Sequence, residues 1–335
     1  MNYKLLLVLA LALALVGCGS KSFTVKGNIE GLKTNSVKLC YSDGVSVFKI
    51  DSVACHNGQF EFVGAVDYPV MASLNDSEDR TITMFFLENS DISIEGKSQN
   101  MRNLSIAGSH TNDLNDTLKH RSKGITQLDD YLNLAKGFVR ENPSSVVSAY
   151  ALDCSISRFM DEGELSEYLG ILDSELHSTF YVQNLQRLLS TLKRTAVGQP
   201  YMDFSSPSFE GDTLSLASFV RDDSWVYLSF WAGWNGVSRR EMQVLKPLYA
   251  AYKDKGLKVI CYSLDAVKQE WEQAIVEVGV ENFIHISDLK VWESQPLALY
   301  GVSMIPANFL ISPEGVIAAK NLSGDELIGF LETNL

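Results

Sequence analysis

At 335 residues and 46% apolar content, the chain holds material for two or three packed domains and reads as a globular protein. Its formal charge of −13 speaks against nucleic acid and anionic lipid headgroups as partners, because both repel an acidic surface. The first element, residues 1–17, carries Lys4 and then an apolar stretch from Leu5 to Val16. That stretch is too short to span a membrane permanently, so it predicts an export signal.

The signal ends in Leu15-Val16-Gly17-Cys18, which resembles a bacterial lipobox. The resemblance implies cleavage before Cys18 and acylation of that cysteine, giving a chain tethered to a membrane without spanning it. Gly19 follows, with no acidic residue to imply inner-membrane retention, so the expected address is the outer membrane facing the periplasm. That compartment is oxidising, which raises the question of Cys40, Cys55, Cys154 and Cys261. Four cysteines allow three pairings, and spacing does not choose among them. If Val37, Leu39 and Tyr41 face inward, Cys40 faces outward while Cys55, in phase with Val53, faces in, which makes a bridge between those two awkward. Cys261 sits in the apolar run Leu257 to Tyr262 and reads as a small buried hydrophobe, as does Cys154 on a helix.

Residues 18–108 show short alternating strands. Phe23, Val25 and Ile29 alternate, as do Val37, Leu39 and Tyr41, then Phe60 with Phe62, Ile82 with Met84 and Phe86, and Ile92 with Ile94. Asp43-Gly44 and Asn57-Gly58 are hairpin signals, and the sum predicts a small β-sandwich. His56 beside the second turn reads as a solvated residue, not a ligand. Residues 109–197 change to a helical period and form a predicted connector. Leu165, Leu169, Leu172 and Leu176 share one face, and Leu185, Leu188, Leu189 and Leu192 another. Pro143 after Asn142 predicts a helix start, with Val146, Val147, Tyr150 and Cys154 as its stripe. These faces read as intramolecular packing, with a second subunit as the alternative.

Gly198-Gln199-Pro200 marks entry to the last domain, residues 198–335, where strand, helix, strand, helix, two strands and a helix follow. Trp225 to Phe230 reads as a central strand, and Val237 to Lys255 as a helix carrying Pro247, which should kink it. Leu257 to Ser263 reads as a parallel neighbour, followed by a helix around Val267 to Val278. Ser312-Pro313-Glu314-Gly315 reads as a turn between antiparallel strands, and Ser323 with Glu326 as a capping box.

Between that strand and helix lies Phe230-Trp231-Ala232-Gly233-Trp234-Asn235-Gly236-Val237-Ser238-Arg239-Arg240-Glu241. This run resembles the thioredoxin-like thiol-disulfide interchange lipoproteins of the TlpA/ResA type, in which Phe-Trp-Ala-x-Trp leads into Cys-x-x-Cys-Arg-x-Glu. The resemblance implies an α/β thioredoxin-like C-terminal domain, a mixed central sheet flanked by helices, behind the β-sandwich and the connector. Asp51-Ser52-Val53 with Asn57-Gly58-Gln59-Phe60 looks like the domain of unknown function found ahead of such domains, and that likeness implies no chemistry. Asn235 and Ser238 occupy the positions of the family's two cysteines. Disulfide exchange needs a thiolate to attack and a second sulfur to resolve the mixed disulfide, and neither an amide nor a hydroxyl substitutes. Both residues favour helix N-termini, so the replacement is expected to keep the helix and remove the reaction.

Other features of the family survive by position. Pro306 in Met304-Ile305-Pro306-Ala307 matches its cis-proline, and with Ile305, Trp231 and Trp234 it forms the candidate peptide-binding surface, although Trp231 also reads as core. Arg239 and Glu241 match loop-orienting positions, and Arg239, Arg240 and Glu241 also read as a solvated salt-bridged face. Ser238 lacks a positioned base, His285 being remote in sequence, so capping is its expected role. No phosphate loop, catalytic carboxylate pair or metal cluster stands out, and neither cofactor nor metal is expected. The leading expectation is a redox-inactive, membrane-anchored lipoprotein acting by contact with a peptide or envelope protein. The alternatives are a thiol-disulfide oxidoreductase using displaced cysteines and an envelope scaffold.

Overall fold

A computed structural model describes residues 22–42, 48–221 and 224–335. The export signal, Cys18 and the Asp43-Gly44 turn lie outside these residues. The described chain divides into two compact units, one comprising the residues up to Cys154 with Ile171–Gln183, the other Ser155–Gly170 with Asn184–Leu335.

The first unit is built on eight strands: β1 (Phe23–Glu30), β2 (Ser36–Ser42), β3 (Phe48–Ala54), β4 (Gln59–Gly64), β5 (Val70–Asp76), β6 (Thr81–Leu87), β7 (Asp91–Lys97) and β8 (Ser105–Ala107). They form two four-stranded sheets, ordered β4-β1-β7-β8 and β3-β2-β5-β6. Val25, Phe62 and Ile94 of the first meet Leu39, Leu74 and Phe85 of the second in one core, the alternation expected of a sandwich. Asn57 and Gly58 both have positive φ (53° and 79°), as the Asn-Gly signal requires, and a Cβ on Gly58 would stand 2.0 Å from the Ile29 carbonyl oxygen.

The predicted phase of the sixth strand is corrected. A register shift between Leu74 and Asn75 leaves an extra residue on β6, so Ile82 and Phe85 both face the core while Met84 is 52% exposed. Phe86 is fully buried too, on the sheet's other side, where its ring meets Tyr150 edge-on at 5.4 Å.

Helices α1 (His110–Ser122), α2 (Leu128–Glu141) and α3 (Val146–Ala151) follow, then α4 (Glu162–Ile171) and α5 (Phe180–Arg194). Pro143 does not open α3: Ser145 caps it, its hydroxyl accepting the Val147 N–H at 3.1 Å. Beyond α3 the backbone enters a π turn, Leu152–Ile156, whose extra residue per turn rotates later side chains out of phase. Cys154 is therefore exposed, not buried. Leu165, Leu169, Leu172 and Leu176 are all buried but do not share one helix face, because α4 ends at Ile171 and Leu176 lies in a short 3-10 turn. None of Cys40, Cys55, Cys154 and Cys261 is in a disulfide.

The second unit contains a hairpin of β9 (Ser205–Pro207) and β10 (Thr213–Ser215) and a five-stranded sheet. Its strands are β11 (Trp225–Trp231), β12 (Leu257–Ser263), β13 (Ile284–Ile286), β14 (Ala307–Ile311) and β15 (Ile317–Lys320), in the order β13-β12-β11-β14-β15. The β11–β12 and β12–β13 pairs are parallel and the other two antiparallel, a mixed sheet. Helices α6 (Gly236–Tyr252), α7 (Lys268–Val278) and α9 (Gly324–Asn334) cover the face bearing Tyr227 and Trp231. Phe204 and α8 (Gln295–Tyr300) cover the face bearing Leu228 and Phe230. Burial on both faces explains why β11 and β12 read as continuous apolar runs. α6 runs through Pro247 to Tyr252, and Ser323 with Glu326 forms the predicted capping box of α9. In this unit four elements had no forecast: β9, β10, β13 and α8 are only three to six residues long, too brief for a periodic signal.

One contact in the first unit is testable. Asn112 on α1 accepts the Phe86 N–H (2.8 Å) and donates to the Phe86 carbonyl (2.7 Å), completing both backbone bonds on the outer side of edge strand β6. Asn112→Ala leaves both unpaired, at about 1–3 kcal/mol per buried group. Hydrogen exchange should then show the Phe86 amide deprotected by roughly ten- to a hundredfold, with β1 amides unchanged.

Candidate functional site

The site forms where β11 runs into α6. Asn235 takes an extended conformation (φ −93°, ψ 108°), and its side-chain oxygen accepts the N–H groups of Val237 (3.0 Å) and Ser238 (2.9 Å). This is an N-cap, satisfying donors that helix geometry leaves unpaired. Ser238 is fully buried and its hydroxyl has no hydrogen-bond partner. His285 is no base for it: its ring nitrogen Nε2 engages the Val280 carbonyl at 2.7 Å, and burial pushes its pKa down to about 4.

The loop before the cap is tied from below by a residue the sequence reading passed over. Asp265, two residues past the end of β12, is buried, and its carboxylate accepts the Gly233 N–H at 2.9 and 3.1 Å and the Ser263 hydroxyl at 2.6 Å. Gly233 is required here, since a Cβ would stand 2.5 Å from that of Ala274 on α7. Arg239 ties the same loop from the side, donating to the Gly233 carbonyl (3.3 Å) and to Glu277 of α7 (2.8 Å). That bond holds the Glu277 carboxyl below its ordinary range.

The two tryptophans part company. Trp234 is 56% exposed, with its indole N–H directed at the Leu264 carbonyl (3.4 Å). Trp231 is 0% exposed and packs with Met242, Trp271 and Ala274, so it offers no contact surface. The reason is strand alternation beneath α6 and α7.

Glu241 also departs from expectation. Residues two apart on a helix do not face each other, so Glu241 does not join Arg239 or an exposed ion-pair face. It turns inward: Oε1 accepts the Tyr227 hydroxyl (2.7 Å) and the Asn308 amide (2.9 Å), while Oε2 is buried without a partner. Burial raises its pKa, against the lowering effect of those two donors. Asn308 in turn donates to the Leu322 carbonyl (3.1 Å) and accepts the Leu322 N–H (2.8 Å).

The register pairing Phe230 with Ala307 brings the Ile305-Pro306 segment level with the end of β11, and that peptide bond is cis. Ile305 and Pro306 are half-buried. Pro306 borders two cavities. One, of about 340 Å³, is shared with Val237, Arg240, Glu241 and Val244 of α6. The other, of about 500 Å³, is closed by Met160, Leu188 and Leu192 from the helical segments that precede the sheet. Asp265, Asn308 and these helical contributions were missed; an Asp closing an apolar strand was the one signal available in advance. Among the described residues no cluster of three or more His, Cys, Asp and Glu side chains has metal-holding geometry, and no helix is long and apolar enough to cross a membrane.

The Glu241 environment has a pH signature. Because the folded-state pKa lies above the unfolded one, the contribution to stability is fully present below the unfolded carboxylate range and is lost as pH rises through the folded value. Glu241→Gln should abolish this component. Stability by denaturant titration, taken as wild type minus variant, should fall with rising pH above about 4.3; a flat difference would contradict the raised pKa.

Residues 23–115 match DUF4369, a domain of unknown function, and residues 197–320 match the AhpC/TSA family. The thiol-disulfide oxidoreductase ResA of Bacillus cereus (strain ATCC 10987 / NRS 248) is 27% identical over 174 residues, 49% of this chain and 89% of that protein. The C-terminal domain of a putative thiol-disulfide oxidoreductase from Bacteroides thetaiotaomicron is 31% identical, covering 42% of this chain and 96% of that one at a TM-score of 0.39. A putative thiol:disulfide interchange protein DsbE from Chlorobium tepidum is 30% identical, over 41% and 96% of the two chains, with a TM-score of 0.37. Behind an N-terminal strand-rich domain, then, the chain carries a thioredoxin-like AhpC/TSA domain with thiol-disulfide oxidoreductases as its relatives.

Proposed function

We propose that this protein is a lipid-anchored envelope protein whose thioredoxin-like domain binds an extended peptide segment or partner protein and does not exchange disulfides. The observation that carries this reading is chemical: Asn235 and Ser238 stand where α6 begins, the first committed to capping and the second buried with a hydroxyl. Thiol exchange has no sulfur to act through there. The one other described cysteine of this unit, Cys261, is fully buried, and burial pushes its thiol far above the range in which a thiolate forms. Displaced-cysteine chemistry within this unit is disfavoured on that ground.

Binding is supported by what the site leaves open. Among the described residues, the backbone N–H groups of Ser303, Met304 and Ile305 make no internal hydrogen bond. Such groups, at exposed Met304, suit pairing with an extended chain, in which main-chain bonds supply affinity and side-chain pockets supply choice. The membrane anchor rests on Cys18 and the preceding apolar run, with the outer membrane facing the periplasm as its address.

Two measurements test this. Purified wild type should show no turnover in insulin reduction, while Asn235→Cys with Ser238→Cys should gain it; turnover by the wild type would refute redox inactivity. Cys18→Ser should shift the protein from the membrane pellet to the soluble fraction and abolish incorporation of radiolabelled palmitate, and unchanged incorporation would rule out acylation at Cys18.

A further inference from the structure

The larger cavity beside Pro306 defines the partner's chemistry more narrowly. Its apolar wall comes from Met160, Leu188, Leu192, Val302, Met304 and Phe309, so residues far upstream of the sheet help to build it. At about 500 Å³ it falls within the usual range for ligand pockets, roughly 300–1,000 Å³, and exceeds what an aliphatic side chain fills. Two methionines and three aromatic rings, those of Phe159, Tyr300 and Phe309, favour an aromatic occupant, since thioether sulfur packs well at ring edges and rings pack edge to face.

Arg158, Asp161 and Lys320 line the larger cavity and Arg240 and Glu241 the smaller, so cations outnumber carboxylates. Among the described residues neither Lys320 nor Arg240 makes an ion pair. The nearby carboxylates are engaged elsewhere: Asp161 accepts the Glu164 N–H at 2.8 Å at the start of α4, and Glu241 is turned inward onto Tyr227 and Asn308. In a chain of net charge −13, two uncommitted cations flanking Pro306 form a local exception. They complement negative charge on whatever lies across the loop.

We propose that the Pro306 loop takes an extended acidic peptide segment, with an aromatic side chain seated in the cavity walled by Met160, Leu188 and Leu192 and flanking carboxylates meeting Lys320 and Arg240. This rests on the contact reading above and names the class of segment it takes. Extended chains place successive side chains on opposite sides, so an aromatic anchor in the larger cavity turns its immediate acidic neighbours towards Arg240 on the other face and the residues two positions away towards Lys320.

The test uses the purified full chain and fluorescein-labelled Gly/Ser decapeptides bearing a central Asp-Asp-Phe-Asp-Asp, Asp-Asp-Ala-Asp-Asp or Lys-Lys-Phe-Lys-Lys, read by fluorescence anisotropy. The Asp-Asp-Phe-Asp-Asp peptide should bind at least about tenfold more tightly than either other peptide, and the advantage over Lys-Lys-Phe-Lys-Lys should shrink as salt rises. Lys320→Glu should weaken it about tenfold, and Leu188→Trp, which fills the cavity, should remove the preference for Phe over Ala. Circular dichroism checks that both variants fold, and Lys320→Glu, a change at the cavity mouth, keeps the test decisive if Leu188→Trp does not. Binding that is equal for all three peptides, or unchanged in a folded variant, overturns this proposal and leaves peptide contact standing. Binding of none of the three overturns the peptide reading itself.

Discussion

The pairing of Phe230 with Ala307 is the constraint from which the rest of the site follows. Antiparallel register admits no intermediate positions: a slip of one residue would turn every side chain of β14 to the opposite face. With the register as it stands, Asn308 lies opposite Ser229 on the face that carries Tyr227, within reach of Glu241 on α6. The same choice sets Pro306 just past the end of β11, beside the first turns of the helix. Two stretches some seventy residues apart in sequence thus meet at one place because a strand pair was fixed.

Chemistry at that place turns on the start of α6. The N–H groups that open a helix, together with its dipole, stabilise negative charge, which is how a thiol in such a position becomes acidic. Asn235 places a neutral oxygen on those donors instead, so the helix keeps its cap and the local field has no ionisable group to act upon. The carboxylates below divide the remaining work. Asp265 is buried yet accepts two bonds from the Gly233 N–H and one from Ser263, a well-satisfied anchor for the loop. Glu241 is buried with one oxygen unpartnered, a less favourable arrangement that raises its pKa. Stability and charge are set by different residues, although both lie under the same loop.

The first unit shows how edge strands are managed. β6 closes one sheet, and its outer backbone groups at Phe86 are met by the Asn112 side chain, not left as a template for another chain. The bulge on β6 has a related consequence: it lets Ile82 and Phe85 both reach the core while Phe86 turns to the ring of Tyr150.

Much of this was legible in advance wherever local chemistry decides the outcome. The Asn57-Gly58 turn, the Ser323–Glu326 capping box, the apolar runs of β11 and β12 and the cap at Asn235 each depend on residues within one turn or strand, and all formed as their spacing implied. The absence of sulfur at residues 235 and 238 was equally plain, since it needs no geometry. Tertiary structure alone decided the remainder. Whether Trp231 or Trp234 is exposed depends on which strand face α6 and α7 cover, whether Glu241 meets Arg239 or Tyr227 depends on helix rotation over the sheet, and the π turn after α3 reversed the expected burial of Cys154. The cavity beside Pro306 draws its walls from residues 157–195 and 300–321, contacts so distant in sequence that no periodicity within either segment encodes them.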